Sequence, residues 1–359
     1  MDRGRKMGLS AVIDMPEVMR GVHLVGHGGP EMLQFRDDVP VPRPGPGDVL
    51  IRVAAAGVNN TDINTRLAWY SKKDGAGEDA SWSGTPLAFP RIQGIDVCGE
   101  IVAVGPGVAA ERIGERVLVE PCLREANGAE LDQPWFLGSE CDGGFAEYCR
   151  VAARHAWRVD CALTDVELAS FPCSYSTAEN MLVRARVTAS DRVLVTGASG
   201  GVGSAAVQLT KARGAEVIAA TSSAKAAALR ELGADRTVSR QEELVQTLGS
   251  NSVDVVLDLV AGDQWPSFLE VLHPGGRNAV AGAVAGPIVP LDVRTLYLKD
   301  LSLFGCTALE PETFPNLVRA IEEQRIKPLV AEVFPLEKIT EAQSAFAEKN
   351  YTGKLVLEI

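Results

Sequence analysis

A glycine-rich turn between a short apolar run and a helical segment carries the clearest chemistry in the sequence. The turn follows the β-branched run 192–196 and contains four glycines: Gly197, Gly200, Gly201 and Gly203. Glycine lets a chain turn tightly and brings backbone N–H groups close to a pyrophosphate. The start of the following helix adds unpaired N–H donors and the positive end of its dipole. A second apolar run at 216–220 completes a β-α-β unit, so the pattern predicts a dinucleotide-binding site, with a turn that binds no ligand as the alternative.

The residues after the second apolar run indicate which dinucleotide is bound. An Asp or Glu there would bond the 2′-hydroxyl of the adenosine ribose. The sequence instead has hydroxyls and a cation: Thr221, Ser222, Ser223 and Lys225. This set suits a 2′-phosphate, which an acidic residue would repel, so we predict NADPH rather than NADH, with Arg240 as a second phosphate partner. The alternative is that Lys225 is a solvated lysine and that the cofactor is selected elsewhere.

Length and composition describe a two-domain globular protein. The chain has 359 residues, of which 46% are hydrophobic and 23% charged, and its net charge is −12. An acidic chain is a poor partner for nucleic acid or an anionic membrane, and no apolar run reaches the length of a membrane span. The seven cysteines are scattered without a Cys-x-x-Cys pair, and the sequence before Met19 lacks the apolar region of a signal peptide. These features predict reduced thiols in the cytoplasm and a flexible extension over residues 1–18.

The two halves of the chain differ in pattern. Strand-like runs and turns dominate the N-terminal half, where a polar and aromatic insert spans 64–90. Trp69, Tyr70 and Trp82 of this insert either wall a substrate pocket or pack beneath a surface loop. From Asp191 onward, apolar runs alternate with helical segments, which predicts a parallel, doubly wound sheet.

The carboxyl ends of the predicted parallel strands are candidates for the nicotinamide pocket. In open α/β sheets, ligands bind outside these ends at the point where the strand order reverses. We assign this role to the following residues: Leu259, Val260, Ala281, Gly282 and Phe304.

Five motifs together resemble the medium-chain dehydrogenase/reductase superfamily over nearly the whole chain from Met19. They are GVNNTD (57–62), GIDVCG (94–99), GGFAE (143–147), TGASGGVG (196–203) and GKLVL (353–357). The resemblance implies an α/β fold: a GroES-like, β-rich catalytic domain over 19–152 and 307–359, and a doubly wound Rossmann NADPH-binding domain over 153–306. It also implies a homodimer, with the apolar strands near 277–305 paired across a two-fold axis. At the cofactor it places Thr177 at the nicotinamide amide, and it places these residues at the pyrophosphate: Ser199, Gly200, Gly201 and Val202. Lys354 is assigned to the cofactor site as well.

The superfamily divides on whether a catalytic metal is present. The zinc alcohol dehydrogenases hold zinc with Cys, His and Cys and leave an open position for a substrate oxygen. Here the matching positions are Asn59, Ile95 and Cys173, and the four-cysteine structural zinc loop is missing. Because isoleucine has no ligand atom, we predict no metal, and the chain then resembles the zinc-free quinone oxidoreductase branch.

That branch implies hydride transfer from NADPH to a quinone or to an electron-poor C=C bond of an enone. Without a metal, the protein mainly positions the reactants and excludes water. We predict that Asn59 hydrogen-bonds a substrate oxygen or the cofactor, that Thr61 relays a proton and that Tyr70 donates one. The alternatives are structural: an Asx turn, a helix cap and a packed aromatic ring.

Three other functions stay open on the sequence. One is a zinc-dependent alcohol dehydrogenase. Another is a reductase of enoyl thioesters, which would need positively charged residues at the entrance of the substrate pocket, a basic mouth. Arg66, Lys72 and Lys73 would supply it, with the alternative that they are ordinary solvent-exposed charges. The third is an NADPH-binding sensor without catalysis, which would bind the cofactor and show no turnover with quinones or enones.

Overall fold

Short strands build the N-terminal part of the chain, as its runs of apolar and turn residues predict. The computed structural model describes residues 15–71, 81 and 86–359, so the predictions for Lys72, Lys73, Trp82 and most of the extension 1–18 lie outside the described residues. The elements before residue 160 are β1 (Val18–Leu24), β2 (Leu33–Pro40), β3 (Asp48–Val58), α1 (Asn60–Arg66), β4 (Arg91–Ile92), β5 (Cys98–Val104), β6 (Arg116–Val119), β7 (Cys122–Ala126), β8 (Ala129–Phe136), β9 (Tyr148–Ala152) and β10 (Ala156–Arg158).

Helices and strands alternate through most of the remaining chain. These elements are α2 (Asp165–Leu168), α3 (Pro172–Arg184), β11 (Arg192–Val195), α4 (Gly201–Ala212), β12 (Glu216–Thr221), α5 (Ala226–Glu231), β13 (Arg236–Ser239), α6 (Leu244–Leu248), β14 (Val253–Asp258), α7 (Trp265–Val271), β15 (Leu272–Val280), α8 (Val293–Leu298), β16 (Ser302–Gly305), α9 (Thr313–Glu322), β17 (Val330–Pro335), α10 (Ile339–Glu348) and β18 (Lys354–Glu358). Every helix within the described ranges is too short or too polar to span a bilayer.

Six strands of the second half form one parallel sheet in the order β13-β12-β11-β14-β15-β16. The order reverses between β11 and β14, so the crevice for a ligand opens at the carboxyl ends of these two central strands. Both are apolar and fully buried at their centres, as Val193 and Val255 show. Residues 274–276 lie within β15, where its pairing with β14 shifts register. The doubly wound Rossmann-like sheet is therefore confirmed.

A second, seven-stranded sheet contains five of the ten strands that precede residue 160. Its order is β10-β6-β5-β3-β18-β17, with β9 also paired to β3, and all pairs are antiparallel except β17 with β18. The GKLVL motif (353–357) joins this sheet, since Leu355 of β18 pairs with Val58 of β3. The β-rich GroES-like part of the fold is thus confirmed. Pairing in this sheet extends to Arg158, while the predicted domain limits stay a prediction.

Candidate active site

Four segments meet at the buried carboxylate of Asp96. Its Oδ2 accepts hydrogen bonds from Asn59 Nδ2 at 2.7 Å and from Lys354 Nζ at 2.8 Å, and its Oδ1 accepts one from the Cys173 backbone N–H at 2.5 Å. Lys354 Nζ also donates to Asn59 Oδ1 at 2.5 Å. We call Asn59, Asp96 and Lys354 the Asp96 cluster. It joins the end of β3, the loop before β5, the start of α3 and the start of β18.

The chain around Asn59 is shaped to bring this cluster together. Asn59 has an extended backbone and precedes α1, whose Asp62 carboxylate accepts the Asn59 N–H at 2.8 Å. A Cβ at Gly57 would lie 2.4 Å from Asp96 Oδ2, so only glycine lets the carboxylate approach β3 this closely. The motifs at 57–62 and 94–99 therefore pack directly against each other, through Gly57 and Asn59 on one side and Asp96 on the other.

Burial dominates the electrostatics of the site. It raises the pKa of Asp62 to about 7, with the nearby Asp96 charge adding to the rise and the Asn59 N–H and Lys354 opposing it. Burial also raises the pKa of the Cys173 thiol, and the Asp96 charge raises it further. Cys173 is therefore an inert thiol at neutral pH rather than a thiolate nucleophile.

The three predicted catalytic residues lie together around α1. Tyr70 Oη donates to Thr61 Oγ1 at 3.3 Å. Burial raises the pKa of Tyr70, and the hydrogen bonds with Thr61 and Asn64 only partly oppose this rise, so the phenol keeps its proton through neutral pH. Trp69 packs edge-on against the Tyr70 ring and is itself 46% exposed.

The hydrogen-bonding capacity of Asn59 is largely used inside the protein. Its amide nitrogen donates both to Asp96 Oδ2 and to the carbonyl of Gly57 at 3.2 Å, and its oxygen accepts from Lys354. A side-chain amide has two N–H donors, so donation to a substrate oxygen would require one of these bonds to break.

The glycine turn has the geometry that its residues predict. Gly197 has φ +56°, and a Cβ at Gly203 would lie 2.3 Å from the Gly197 carbonyl oxygen. A Cβ at Gly201 would lie 2.7 Å from Ser174 Oγ and 3.2 Å from Lys354 Cδ. The stem of Lys354 therefore runs past the start of α4 to the Asp96 cluster and links the turn to it.

The predicted 2′-phosphate residues lie at or near the end of β12, and the partly exposed Lys225 is held there by hydrogen bonds to backbone carbonyls. Thr221 is buried, Ser222 is partly exposed, Ser223 is exposed, and the backbone N–H of Arg240 donates to the Thr221 carbonyl at 2.9 Å. Lys225 Nζ donates to the carbonyl oxygens of Lys349 at 3.0 Å and Tyr351 at 2.6 Å. An ammonium has three N–H donors, so one remains for an anion.

Lys349 is a further cation at this end, and sequence reasoning missed it. Its Nζ lies 3.9 Å from the Phe346 ring centroid. Burial and the charge of Lys225 lower its pKa to about 8, while burial and the charge of Arg240 lower that of Lys225. Lys225, Arg240 and Lys349, which we call the basic cluster, therefore lie close together. Lys349 is 124 residues from Lys225 in the chain, and no local pattern marks it.

The predicted nicotinamide residues lie at the carboxyl ends of β14, β15 and β16. All five are partly exposed there: Leu259, Val260, Ala281, Gly282 and Phe304. The loops after β14 and β15 pack closely, since a Cβ at Gly282 would lie 2.6 Å from the Leu259 carbonyl oxygen. Thr177 on α3 donates its hydroxyl to the Cys173 carbonyl at 2.7 Å, so toward a ligand it can act only as an acceptor while that bond is kept.

The residues at the zinc-ligand positions do not fit a metal. Ile95 is buried and has no donor atom, and the oxygen of Asn59 is bonded to the Lys354 ammonium. Among residues 15–71, 81 and 86–359, no group of three His, Cys, Asp or Glu side chains could hold a metal ion.

Two family models match the chain. The alcohol dehydrogenase GroES-like domain matches residues 45–160, and the zinc-binding dehydrogenase model matches residues 201–323.

Individual proteins match over nearly the full chain. Quinone oxidoreductase from Homo sapiens is 30% identical over 355 residues, which cover 95% of this chain and 98% of that protein. Acryloyl-coenzyme A reductase from Metallosphaera sedula is 29% identical over 350 residues, covering 94% and 99%. The crystal structure of a proposed alcohol dehydrogenase from Sinorhizobium meliloti 1021 is 46% identical, with a TM-score of 0.88, and covers 96% of this chain and 98% of that one. The chain therefore belongs to the medium-chain dehydrogenase/reductase superfamily of oxidoreductases.

Proposed function

We propose that the protein is an NADPH-dependent reductase that delivers hydride to a quinone or to the electron-poor C=C bond of an enone, without a metal. The Asp96 cluster is the observation that carries this proposal. Lys354 brings a buried ammonium to Asn59 and Asp96, and Ile95 supplies no ligand where the zinc enzymes of the superfamily have histidine. Similarity to human quinone oxidoreductase over 95% of the chain supports the same substrate class.

The arrangement at the end of β12 supports NADPH over NADH. Hydroxyls of Ser222 and Ser223 and the basic cluster would hold the 2′-phosphate, and β12 ends without an acidic residue that would repel it. The turn 197–203 would hold the pyrophosphate at the start of α4. NADPH, when bound, supplies the hydride for the reaction.

The side chains around α1 then have distinct tasks. Tyr70 keeps a proton at its Oη and, together with Thr61, presents it toward the substrate pocket. The Asp96 cluster holds α1 and α3 in register, which fixes Tyr70 relative to the cofactor turn. Trp69 limits access of water.

Steady-state NADPH oxidation tests this function directly. We expect turnover with a quinone or a cyclic enone, a higher kcat/KM with NADPH than with NADH, and no loss after treatment with a zinc chelator. Oxidation of primary alcohols with NAD that a chelator abolishes would instead indicate a zinc alcohol dehydrogenase. Tight NADPH binding without turnover on any acceptor would indicate the sensor.

Reduction of an enoyl thioester is a second candidate, because acryloyl-coenzyme A reductase from Metallosphaera sedula matches 94% of the chain. An enoyl thioester and an enone share the conjugated carbonyl that accepts hydride. Arg66, however, does not contribute to the predicted basic mouth, because its side chain is buried. It donates hydrogen bonds to the Gly28 carbonyl at 2.7 Å and to Gln343 Oε1 at 3.0 Å. Comparison of kcat/KM for crotonyl-coenzyme A and for a cyclic enone separates the two substrate classes.

We also propose that two copies associate through the edge of the parallel sheet. Strand β16 is an edge strand of that sheet. Exposed apolar side chains cluster in the sequence around it: Val284, Ile288, Val293, Tyr297, Leu298 and Leu303. Such a patch on an unpaired strand edge is typical of an interface. Light scattering should give the mass of a dimer, and Ile288→Asp together with Leu298→Asp should give that of a monomer.

A further inference from the structure

A buried hydroxyl and a buried carboxylate bind three successive amides of the loop after β14. Asp258 Oδ1 accepts from Val260 N at 2.9 Å and from Ala261 N at 3.1 Å. Thr196 Oγ1 donates to the same Asp258 oxygen at 2.8 Å and accepts from Leu259 N at 2.9 Å. Thr196 directly follows the central strand β11, Asp258 ends the central strand β14, and both are buried. The loop 259–262 is thus bonded to the residue that precedes the glycine turn.

The loop so held has an unusual backbone. Ala261 has φ +52° and ψ −133°, a conformation that residues other than glycine rarely adopt. Such a conformation persists only where the surroundings enforce it. The Ala261 N–H bond to Asp258 is one enforcing contact, and the Val260 carbonyl, which accepts from Ala285 N at 2.9 Å, is another.

The loop lies between the two segments that would contact a dinucleotide. On one side, a Cβ at Gly197 would lie 3.1 Å from Val260 Cγ2. On the other side, the Leu259 carbonyl oxygen approaches Gly282, and the Gly262 N–H donates to the Gly286 carbonyl at 3.2 Å. A shift of the loop would therefore displace both the phosphate turn and the strand end at Gly282.

We propose that Thr196 and Asp258 are a positioning pair that fixes loop 259–262 against the glycine turn and thereby sets the affinity for the dinucleotide. The inference deepens the proposed function and rests on it, because the ligand is the proposed cofactor. Neither side chain is required to touch the cofactor itself. Only one oxygen of Asp258 acts in the pair, since Oδ2 is buried without a hydrogen-bond partner among the described residues. An asparagine, which keeps one acceptor oxygen, should therefore replace Asp258 well, whereas leucine should not.

Isosteric variants separate this role from simple packing. Thr196→Val removes the hydroxyl and leaves the Leu259 N–H and Asp258 Oδ1 each without one partner. Thr196→Ser restores the hydroxyl. Thr210→Val on α4 is the matched control, because Thr210 is equally buried and its hydroxyl has no partner among the described residues. Asp258→Asn and Asp258→Leu form a second matched pair, should Thr196→Val fail to fold.

Two measurements on the full chain test the proposal. In fluorescence titrations, Thr196→Val and Asp258→Leu should raise the Kd for NADPH about tenfold or more, and Thr196→Ser, Asp258→Asn and Thr210→Val should stay within about threefold of wild type. In hydrogen exchange of the ligand-free protein, the amides of 259–261 should exchange faster in Thr196→Val than in Thr210→Val.

The outcomes are distinct. If Thr196→Val matches Thr210→Val in both Kd and amide exchange, the positioning pair is overturned. Faster exchange with an unchanged Kd would overturn its link to cofactor affinity. A wild-type protein that binds neither NADPH nor NADH would overturn the proposed function instead, and the exchange measurement would still decide whether the pair holds the loop.

Discussion

The ammonium of Lys354 lies 2.8 Å from the carboxylate of Asp96, and the side chains are 3% and 0% exposed. A buried pair of this kind is held by mutual compensation, because each charge would be costly alone. Lys354→Met should lower the free energy of unfolding by about 3–5 kcal/mol, since it leaves Asp96 without its cation. The double variant Lys354→Met with Asp96→Asn should recover part of this loss in urea unfolding.

The control for this prediction is an exposed ion pair. Lys338→Met breaks the surface contact with Glu341 and should cost less than about 1 kcal/mol. Strictly additive effects of Lys354→Met and Asp96→Asn would show that the two charges do not stabilise each other.

Selection of the phosphorylated cofactor should depend on Arg240. Its side chain is exposed just after β13, close to the partly exposed Lys225, so Arg240→Ala should remove a phosphate partner with little effect on folding. We expect the Kd for NADPH to rise about tenfold and the Kd for NADH to stay unchanged. Arg158→Ala, at an exposed arginine of β10, is the matched control. Equal weakening of both cofactors would mean that Arg240 does not recognise the 2′-phosphate.

Proton delivery should depend on the phenol of Tyr70. Tyr70→Phe removes the hydroxyl that donates to Thr61 and keeps the ring packed against Trp69. We expect kcat with a quinone or enone to fall about a hundredfold, with an unchanged Kd for NADPH. Tyr297→Phe, at an exposed tyrosine of α8, should leave both constants unchanged. A wild-type kcat in Tyr70→Phe would show that Tyr70 does not donate the proton and that its ring serves only in packing.

Stability should vary with pH through Asp62. Its pKa is raised to about 7 in the folded chain and is about 3.9 when unfolded. Below the unfolded value the carboxyl is protonated in both states, whereas above the folded value it is ionised in both and the cost of its burial is fully present. The free energy of unfolding should therefore fall as the pH rises from about 4 to about 7.

Asp62→Asn isolates this contribution, because the amide oxygen can still accept from Asn59 N and does not titrate. The stability of wild type relative to Asp62→Asn should decline by on the order of 2 kcal/mol between about pH 5 and about pH 8. Asp132→Asn, at an exposed position of β8, serves as the control. A difference between wild type and Asp62→Asn that does not change with pH would contradict the assignment.

The strained backbone at Ala261 should be relieved by glycine. Its φ of +52° with ψ of −133° costs about 1–3 kcal/mol for alanine. Glycine would adopt this conformation without strain, but it loses about 0.5–1 kcal/mol more conformational entropy on folding than alanine does. Ala261→Gly should therefore raise the free energy of unfolding by about 1 kcal/mol. Ala227→Gly, on the exposed face of α5, should lower it by about the same amount. Destabilisation by Ala261→Gly would show that the conformation carries no strain.

Local sequence patterns were sufficient to predict the fold around the proposed cofactor site. The glycines at 197–203 and the apolar runs around them specify a strand, a turn and a helix without help from distant residues, and the structure has all three. The assignment of Lys354 to this region is consistent with its position beside Gly201, although its cofactor contact stays a prediction.

Contacts between distant residues could not be predicted in the same way. Lys354 and Asp96 are 258 residues apart, and no periodicity relates them. Arg66 appeared to be a candidate for a basic mouth because its charge is visible in the sequence, whereas its burial depends on Gly28 and Gln343 in other segments. The hydrogen bonds of Lys225 to the carbonyls of Lys349 and Tyr351 likewise join segments that are distant in the chain, so the sequence around Lys225 does not predict them.

Metal content measured together with activity tests the proposed chemistry most directly. The purified protein should contain far less than one zinc per chain by elemental analysis, and it should oxidise NADPH with a quinone or enone at a rate that a chelator does not change. Stoichiometric zinc, with activity that is lost on its removal and restored by its return, would contradict a reductase built around the Lys354–Asp96 pair.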